Sequence, residues 1–414
     1  MHDPMVLRQF FEQQMPDALD LLRQMVEINS WTENRAGVNC LGRFTAECFA
    51  PLGFTAQFVP AANPAWGDHL ILTRPGSGPV SVVMVSYLDT VFPPEEEQRH
   101  NFHWQVEGSR IYGPGTHDIK SGTMMMWLVL KALQTHEPAL FQAVTWRLLF
   151  NAAEESFSPD FGQLCRCQCD GGTVAALVFE AQNQGPDGVP RLVVARKGRV
   201  TWRVRVIGRG AHAGSRHPQG ANAIAQLALT IQHIAALTDY TRDLTFNVAR
   251  VTGGTGLNRV PHLAMAEGEF RAFSPQVLAE AEAALGTLAG PGQVRSSADG
   301  YACNVEVELL SRSPPWPRNP ATDSLMALWA QTARDLGMAV QGEQRGGLSD
   351  GNHLWDLVPT LDGLGPGGDN DHCSERSPDG TKVPEYLDLP SVVPKAMLNT
   401  LALVRLVQQG RVRT

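Results

Sequence analysis

Acidic residues follow several apolar, strand-like segments of the chain. Asp89 follows one such run, Glu154 and Glu155 follow a second, Glu180 ends a third, and Asp118 lies in a loop just before an apolar helix. If these strands are parallel, their C-terminal ends meet at one edge of a sheet, which is where α/β proteins bind ligands. Carboxylates crowded there would repel each other unless a cation held them together. The pattern therefore predicts a cation site at this edge.

A histidine in a glycine-rich loop, residues 363–375, could complete such a site. His372 with Asp118, Glu155 and Glu180 would supply nitrogen and oxygen ligands for one or two Zn²⁺ ions. A carboxylate such as Asp118 can bridge two metal ions about 3.5 Å apart, and Glu154 would then be a general base for a water molecule. Two alternatives stay open from the residues alone: Asp118 could be a helix N-cap, and His372 could be an ordinary surface residue.

The chain is long enough for two hydrophobic cores, since it has 414 residues of which 43% are hydrophobic. Between residues 195 and 309 the pattern is strand, helix, strand, strand, helix, strand, which predicts a ferredoxin-like βαββαβ domain. It interrupts a first domain formed by residues 1–194 and 310–414. In that first domain the helix from Ser121 to Leu133 is apolar on almost every side, so Met124 to Met126 are expected in the core.

Composition excludes several classes of partner. With 34 Lys+Arg against 42 Asp+Glu, the net charge of -8 argues against a surface for nucleic acid or anionic membranes. The sequence contains neither a signal-peptide pattern nor an apolar stretch long enough to span a bilayer, so a cytoplasmic location is expected. Seven cysteines without small-domain spacing indicate reduced thiols. The run Cys165, Cys167, Cys169 could place three thiols on one strand face as a zinc site, or the thiols could be incidental.

The order and spacing of eight short motifs resemble the M20 metallopeptidases, the group of glutamate carboxypeptidases, aminoacylases and acetylornithine or succinyl-diaminopimelate deacylases. The motifs are YLDTVFP, GPGTHDIKSG, NAAEES, FEA, GRGAHAG, GGTGLNRVP, GGLSDGNH and DHCSE. The resemblance covers nearly the whole chain and is strongest to the glutamate carboxypeptidase branch. It implies a mixed sheet sandwiched by helices, as in zinc aminopeptidases, with an inserted ferredoxin-like dimerisation domain.

The resemblance also implies roles for the metal-site residues. Asp118 would bridge two metal ions, usually Zn²⁺ with Co²⁺ or Mn²⁺ as substitutes, Glu155 and His372 would bind one of them, and Glu180 would bind the other. Glu154 falls at the position of the family's general base, which takes a proton from a metal-activated water.

Further residues fall at positions with a supporting role in the family. Asp89 would orient the first histidine ligand. His212, from the inserted domain, would reach the active site of the partner subunit in a homodimer. Asn258 and Arg271 would contact the oxyanion and the substrate carboxylate, for which an arginine fork is well suited.

One residue departs from the family pattern. Where the family has His-x-Asp, this chain has Tyr87, Leu88 and Asp89. A neutral phenol, whose pKa is about 10, is a poor zinc ligand unless the metal ionises it, so the metal site at Tyr87 should be weaker or empty. His100, His103 and His117 offer no obvious replacement.

Two functions follow from the sequence. The first is a metal-dependent hydrolase that cleaves an amide bond of a peptide or N-acyl amino acid, as a carboxypeptidase or a deacylase. The second is a weakened homologue that binds amino acids or peptides, and Tyr87 is its direct support.

Overall fold

A computed structural model describes the backbone of residues 4–413 and the side chains of residues 4–410. The helices are α1 (Pro4–Glu27), α2 (Arg35–Phe49), α3 (Pro94–His100), α4 (Lys120–His136), α5 (Pro138–Ala143), α6 (Pro159–Gln168), α7 (Ala223–Ala235), α8 (Pro275–Gly286), α9 (Pro320–Asp335) and α10 (Val392–Arg413). The strands are β1 (Thr55–Pro60), β2 (Asp68–Arg74), β3 (Ser81–Tyr87), β4 (Gln105–Glu107), β5 (Arg110–Tyr112), β6 (Thr145–Asn151), β7 (Thr173–Val178), β8 (Asn183–Gln184), β9 (Pro190–Arg196), β10 (Gly198–Ile207), β11 (Thr245–Gly253), β12 (Leu263–Ala272), β13 (Gly290–Arg295), β14 (Ala302–Ser313), β15 (Gln341–Arg345), β16 (Thr360–Leu361), β17 (Gly368–Asp369) and β18 (Tyr386–Asp388).

The chain divides into two compact units. The second unit comprises Ala195–Pro317 and Arg345–Leu348, and the rest of the chain forms the first. Residues 1–3 and 414 belong to the first domain predicted from sequence, and their conformation lies outside the described residues. The catalytic and dimerising roles expected of the two domains stay predictions.

The first unit is built on a six-stranded mixed sheet. Its strand order is β1-β2-β6-β3-β7-β16. Strand β3 runs parallel to both β6 and β7, and β16 runs parallel to β7, whereas β1 and β2 are antiparallel to their neighbours. The C-terminal ends of β3, β6 and β7 therefore lie at the same edge. The residues that follow these three strands therefore lie close together, as the sequence pattern predicts.

Helix α4 is the most deeply buried helix of the part of the first unit that the structure describes. Met124, Met125 and Met126 are fully buried in the main hydrophobic core. A helix that is apolar on every side gains most by packing against other elements on several sides, and α4 contacts α1, α10 and β3. The prediction that the methionine run belongs to the core is confirmed.

The second unit is an antiparallel sheet in the order β11-β12-β10-β14-β13. Helices α7 and α8 contact this sheet, and their apolar residues form its separate core. Without β13, the order is that of a ferredoxin-like βαββαβ fold, so the predicted fold class is confirmed. Strand β13 does not follow from the sequence pattern, because its residues, GPGQVR, include two glycines and a proline, which are depleted in strands.

One of the two interpretations of the CRCQC run was wrong. The CRCQC run lies in α6 and its C-terminal cap, not on a strand. Residues two apart on a helix face different directions, so Cys165 is buried while Cys167 is exposed, and the three thiols share no face. Among the described residues, no helix is long and apolar enough to cross a membrane.

Candidate metal centre

Asp89 holds the turn that follows β6. Its two carboxylate oxygens accept hydrogen bonds from the backbone N–H groups of Glu154 (2.9 Å) and Glu155 (3.2 Å), and Oδ2 also accepts from Thr32 Oγ1 at 2.6 Å. Burial raises the pKa of Asp89 to about 6, although the hydrogen bond from Thr32 acts in the opposite direction. Asp89 therefore fixes the backbone that carries the two glutamates.

Two further side chains hold the beginning of the same turn. His69 Nδ1 accepts from the N–H of Ala152 at 3.1 Å, and Asn151 Oδ1 accepts from the N–H of Ala153 at 3.0 Å. Because Nδ1 accepts, the neutral ring carries its proton on Nε2, which lies 3.1 Å from Asp160 Oδ2. Four consecutive backbone N–H groups, 152–155, are thus each held by a side chain. His69 and Asn151 were not among the predicted site residues, because neither stands in a sequence pattern that marks a turn.

Asp118, Glu155 and His372 come together at this edge. Their ligand atoms all lie within 4.8 Å of one another. His372 Nε2 is 3.2 Å from Asp118 Oδ2 and 3.3 Å from Glu155 Oε2. Hydrogen bonds to Asp118 and Glu155 raise the pKa of His372 to about 11, and burial raises that of Glu155 to about 8. Two carboxylates and one imidazole facing a common point form a donor set suited to Zn²⁺.

The loop that carries His372 is shaped by left-handed backbone conformations. Asn370 (φ 67°) and His372 (φ 62°) both adopt the region that Asn and His tolerate better than most residues. The loop is fixed just beyond by Ser374, whose hydroxyl donates to Glu96 Oε1 at 2.5 Å and lies 2.7 Å from His100 Nδ1. His372 is therefore aimed into the cluster, and it is not an isolated surface residue.

Asp118 is not the cap of helix α4. The N-cap is Ile119, without a side-chain hydrogen bond, and the Asp118 side chain instead contacts His372 and Tyr87. The backbone here is held by Glu385, whose Oε1 accepts from the N–H groups of His117 (2.9 Å) and Asp118 (3.2 Å). Glu385 is fully buried, and burial raises its pKa well above the usual value. No sequence motif marks Glu385, which becomes a neighbour of Asp118 only when the chain folds.

Tyr87 is the last residue of β3 and is only 4% exposed. Its hydroxyl donates a hydrogen bond to Asp118 Oδ1. Burial, followed by the charges of Asp118 and Glu180, raises the pKa of Tyr87 well above its usual value. The phenol is therefore a hydrogen-bond donor in this site.

Glu180 and Glu154 lie beside the cluster. Burial and the charges of Glu180 and Glu155 raise the pKa of Glu154 well above its usual value. Glu180 is 8% exposed, and among the described residues it is not part of the group of three that could hold a metal ion. The two glutamates thus border the site without joining that group.

In the second unit, His212 and Asn258 lie on neighbouring segments. The N–H of Ala213 donates to Asn258 O at 2.9 Å. His212 is exposed, and its Nδ1 accepts from the N–H groups of Gly214 and Ser215, both at 3.1 Å. A neutral His212 then carries its proton on Nε2, where it can be donated.

Arg271 makes its contacts elsewhere in the second unit. Its guanidinium forms a two-pronged pair with Glu269, at 2.7 and 3.2 Å, and donates to Gly346 O at 3.1 Å. A substrate carboxylate would have to compete with Glu269 for this side chain.

Most of the chain matches the model of a known protein family. Residues 85–380 match the model of peptidase family M20/M25/M40. The chain belongs to this family. It is therefore an enzyme of the M20 metallopeptidases, a group that hydrolyses peptide or acyl–amino acid bonds, and the resemblance stated from the sequence is confirmed.

Sequence similarity to individual relatives extends over nearly the whole chain. It is 24% identical to carboxypeptidase G2 of Pseudomonas sp. (strain RS-16), covering 96% of this chain and 91% of that protein. It is 25% identical to a succinyl-diaminopimelate desuccinylase of Bordetella petrii, covering 91% and 94%. The first similarity is consistent with the glutamate carboxypeptidase branch.

Solved structures share the fold. A tripeptidase from Staphylococcus aureus matches with a TM-score of 0.74 at 21% identity, covering 94% of this chain and 98% of that one. A dinuclear metal-binding M20 peptidase from Bacillus subtilis matches with a TM-score of 0.66 at 15% identity, covering 95% and 99%.

Proposed function

We propose that this protein is a metal-dependent hydrolase that cleaves an amide bond of a peptide or an N-acyl amino acid, as a carboxypeptidase or deacylase. The observation that carries the proposal is the turn at residues 154–155. Glu155 faces the group formed with Asp118 and His372, while the adjacent Glu154 stays outside that group. Asp89 accepts hydrogen bonds from the backbone N–H groups of both glutamates. The backbone from which the two carboxylates project is therefore held in place.

Asp118, Glu155 and His372 would hold the metal ion, and their oxygen and nitrogen atoms suit Zn²⁺, with Co²⁺ or Mn²⁺ as substitutes. When bound, such an ion polarises a carbonyl group and makes a water molecule more acidic. The closeness of the three ligand atoms supports this choice of residues.

Glu154 is proposed as the general base. It takes a proton from the attacking water and passes it to the nitrogen of the leaving amine. Its raised pKa, caused by burial and by Glu180 and Glu155, improves it as a proton acceptor and then as a donor. Asp89 acts through the turn, by holding the backbone of Glu154.

A homodimer is proposed to complete the site. His212 would donate from Nε2 to the substrate carbonyl in the partner subunit, Asn258 would contact the oxyanion, and Arg271 would bind the substrate carboxylate. Strand β11 is at the edge of its sheet and carries Val251, which is 57% exposed and lines a shallow apolar groove with Ile224 of α7. An open strand edge next to exposed apolar side chains is a surface on which a second copy can pair. A cytoplasmic location stays a prediction.

Replacement of the proposed base tests the mechanism. Glu154→Gln should lower kcat on N-acyl amino acids and dipeptides by at least about 100-fold, because proton transfer by a positioned group contributes 10²–10⁴-fold. The metal content should stay unchanged, because Glu154 is outside the ligand group. Glu95→Gln on the exposed face of α3 is the matched control. Hydrolysis at the wild-type rate in Glu154→Gln would contradict the proposed mechanism.

A second candidate function rests on Tyr87. A homologue that has lost efficient turnover would still bind amino acids or peptides at the candidate metal centre. Purified protein that holds no metal ion, hydrolyses none of the substrates and still binds these ligands in calorimetry would favour this candidate over the hydrolase.

A further inference from the structure

We propose that the centre is mononuclear and that the Tyr87 hydroxyl takes the place of a second metal ion by donating a hydrogen bond to Asp118. The inference rests on the proposed function, because it concerns the same metal centre. It distinguishes this chain from the dinuclear Bacillus subtilis relative.

The two oxygens of Asp118 have different partners. Oδ2 lies 3.2 Å from His372 Nε2 and belongs to the group with Glu155, whereas Oδ1 accepts the hydrogen bond from the Tyr87 hydroxyl. A carboxylate that bridges two metal ions through both of its oxygens gives one oxygen to each. In this chain a proton on the phenol takes the position of the second ion at Oδ1, so Asp118 is left as a ligand of one ion.

The position of Tyr87 leaves no room for an ion between the two groups. Ligand oxygens each lie about 2.0–2.2 Å from a bound zinc ion, whereas the phenol oxygen and Asp118 Oδ1 are in direct hydrogen-bond contact. The backbone of Tyr87 cannot easily withdraw, because β3 is paired on both sides, with β6 and β7, and Tyr87 itself faces Asn151 of β6. The side chain is also buried, so rotation out of the site would require repacking.

The hydrogen bond also lets Tyr87 orient the carboxylate of Asp118. Carboxylates that bind metals are commonly held by hydrogen bonds from outside the ligand set, and loss of such a partner lowers metal affinity by about 10–100-fold. Tyr87 fixes the orientation of Asp118 from one side, while Glu385 fixes its backbone from the other. We therefore assign Tyr87 as a positioning residue for a single metal ion.

Metal counting on purified full-length chains tests the proposal. Zn²⁺ titration by calorimetry, with elemental analysis after dialysis, should give one ion per chain for the wild type and two for Tyr87→His, which restores an imidazole. Tyr87→Phe should bind one ion with an affinity about 10–100-fold lower, because the phenyl ring cannot donate to Asp118. Tyr240→His is the matched control, since Tyr240 is 82% exposed, and it should bind as the wild type does.

The outcomes separate this inference from the proposed function. Two ions of similar affinity in the wild type, or wild-type affinity in Tyr87→Phe, would overturn the inference and leave the metal-dependent hydrolase intact. A wild-type chain that binds no ion would overturn both. Unchanged hydrolysis in Glu154→Gln would contradict the mechanism alone, because the metal count does not depend on Glu154.

Discussion

At the scale of single residues, the centre depends on side chains that bind backbone groups as much as on the ligands. Asp89 and His69 each bind backbone N–H groups of the turn after β6, and Glu385 does the same for the loop at Asp118. An unpaired buried N–H costs about 1–3 kcal/mol, so these side chains stabilise one conformation of each loop. The positions of the ligand atoms therefore depend on residues that would not themselves contact a metal ion.

The buried His69 predicts a pH dependence of stability. Burial lowers its pKa, although the hydrogen bond with Asp160 acts in the opposite direction. The unfolded chain therefore takes up a proton near pH 6.5 while the folded chain does not. The stability that His69 contributes is fully present above pH 6.5 and is lost as the pH falls from 6.5 towards the lowered folded-state pKa.

Urea denaturation between pH 5 and 8 measures this effect. Between pH 6.5 and 5 the free energy of unfolding of the wild type should fall more steeply than that of His69→Gln, by up to about 1.4 kcal/mol per pH unit. His103→Gln, at an exposed position, should follow the wild type. Parallel curves for the wild type and His69→Gln would show that His69 does not titrate differently in the two states.

At the scale of elements, the centre is formed where helix α4 meets the end of β7. A Cβ atom at Gly122 of α4 would lie only 2.0 Å from the carbonyl oxygen of Phe179, and one at Gly365 would lie 2.8 Å from that of Glu180. Both positions therefore need glycine, because the backbones approach closely. This approach brings Glu180 and Asp118, which lie on different elements, to the same site.

A methyl group at Gly122 should disturb this contact. Gly122→Ala is expected to lower the free energy of unfolding by about 1–3 kcal/mol, as for other over-packed cores. Gly286→Ala in α8 is the matched control, because a Cβ there would meet nothing within 4 Å, and it should be neutral or stabilise by up to about 1 kcal/mol. Chemical denaturation of both variants measures the difference. If Gly122→Ala were as stable as the wild type, the backbone at Phe179 would have moved away without a loss of stability.

At the scale of the whole molecule, the question is how many chains form an active site. The proposed role of His212 requires a second copy. The second unit offers the strand edge of β11 for it, with Val251 exposed. Association through this edge would bury apolar side chains and would also pair the backbone N–H and C=O groups of the edge strand.

A charge at the strand edge should weaken the dimer. Val251→Asp is expected to shift the chain from dimer to monomer in light scattering, because a carboxylate would be buried without a partner. Leu357→Asp, at a first-unit position that is 45% exposed, should stay dimeric.

Mixing two inactive variants tests the sharing of sites. Chains with His212→Ala and chains with Glu154→Gln, refolded together, should regain hydrolysis, since one site of each mixed dimer has both residues. A monomeric wild type, or full activity of His212→Ala alone, would contradict the proposed dimer.

The sequence by itself determined the parts that depend on local pattern and motif order. Apolar strands that end in acids predicted one edge with Asp118 and Glu155, the helical apolar pattern placed Met124 in the core, and the motifs identified the family. Tertiary structure alone decided the contacts between residues far apart in the chain. Glu385 and His69 bear no motif, and β13 has a sequence unfavourable for a strand. The bond from Tyr87 to Asp118 joins residues 31 positions apart, because side-chain geometry follows from packing and not from spacing.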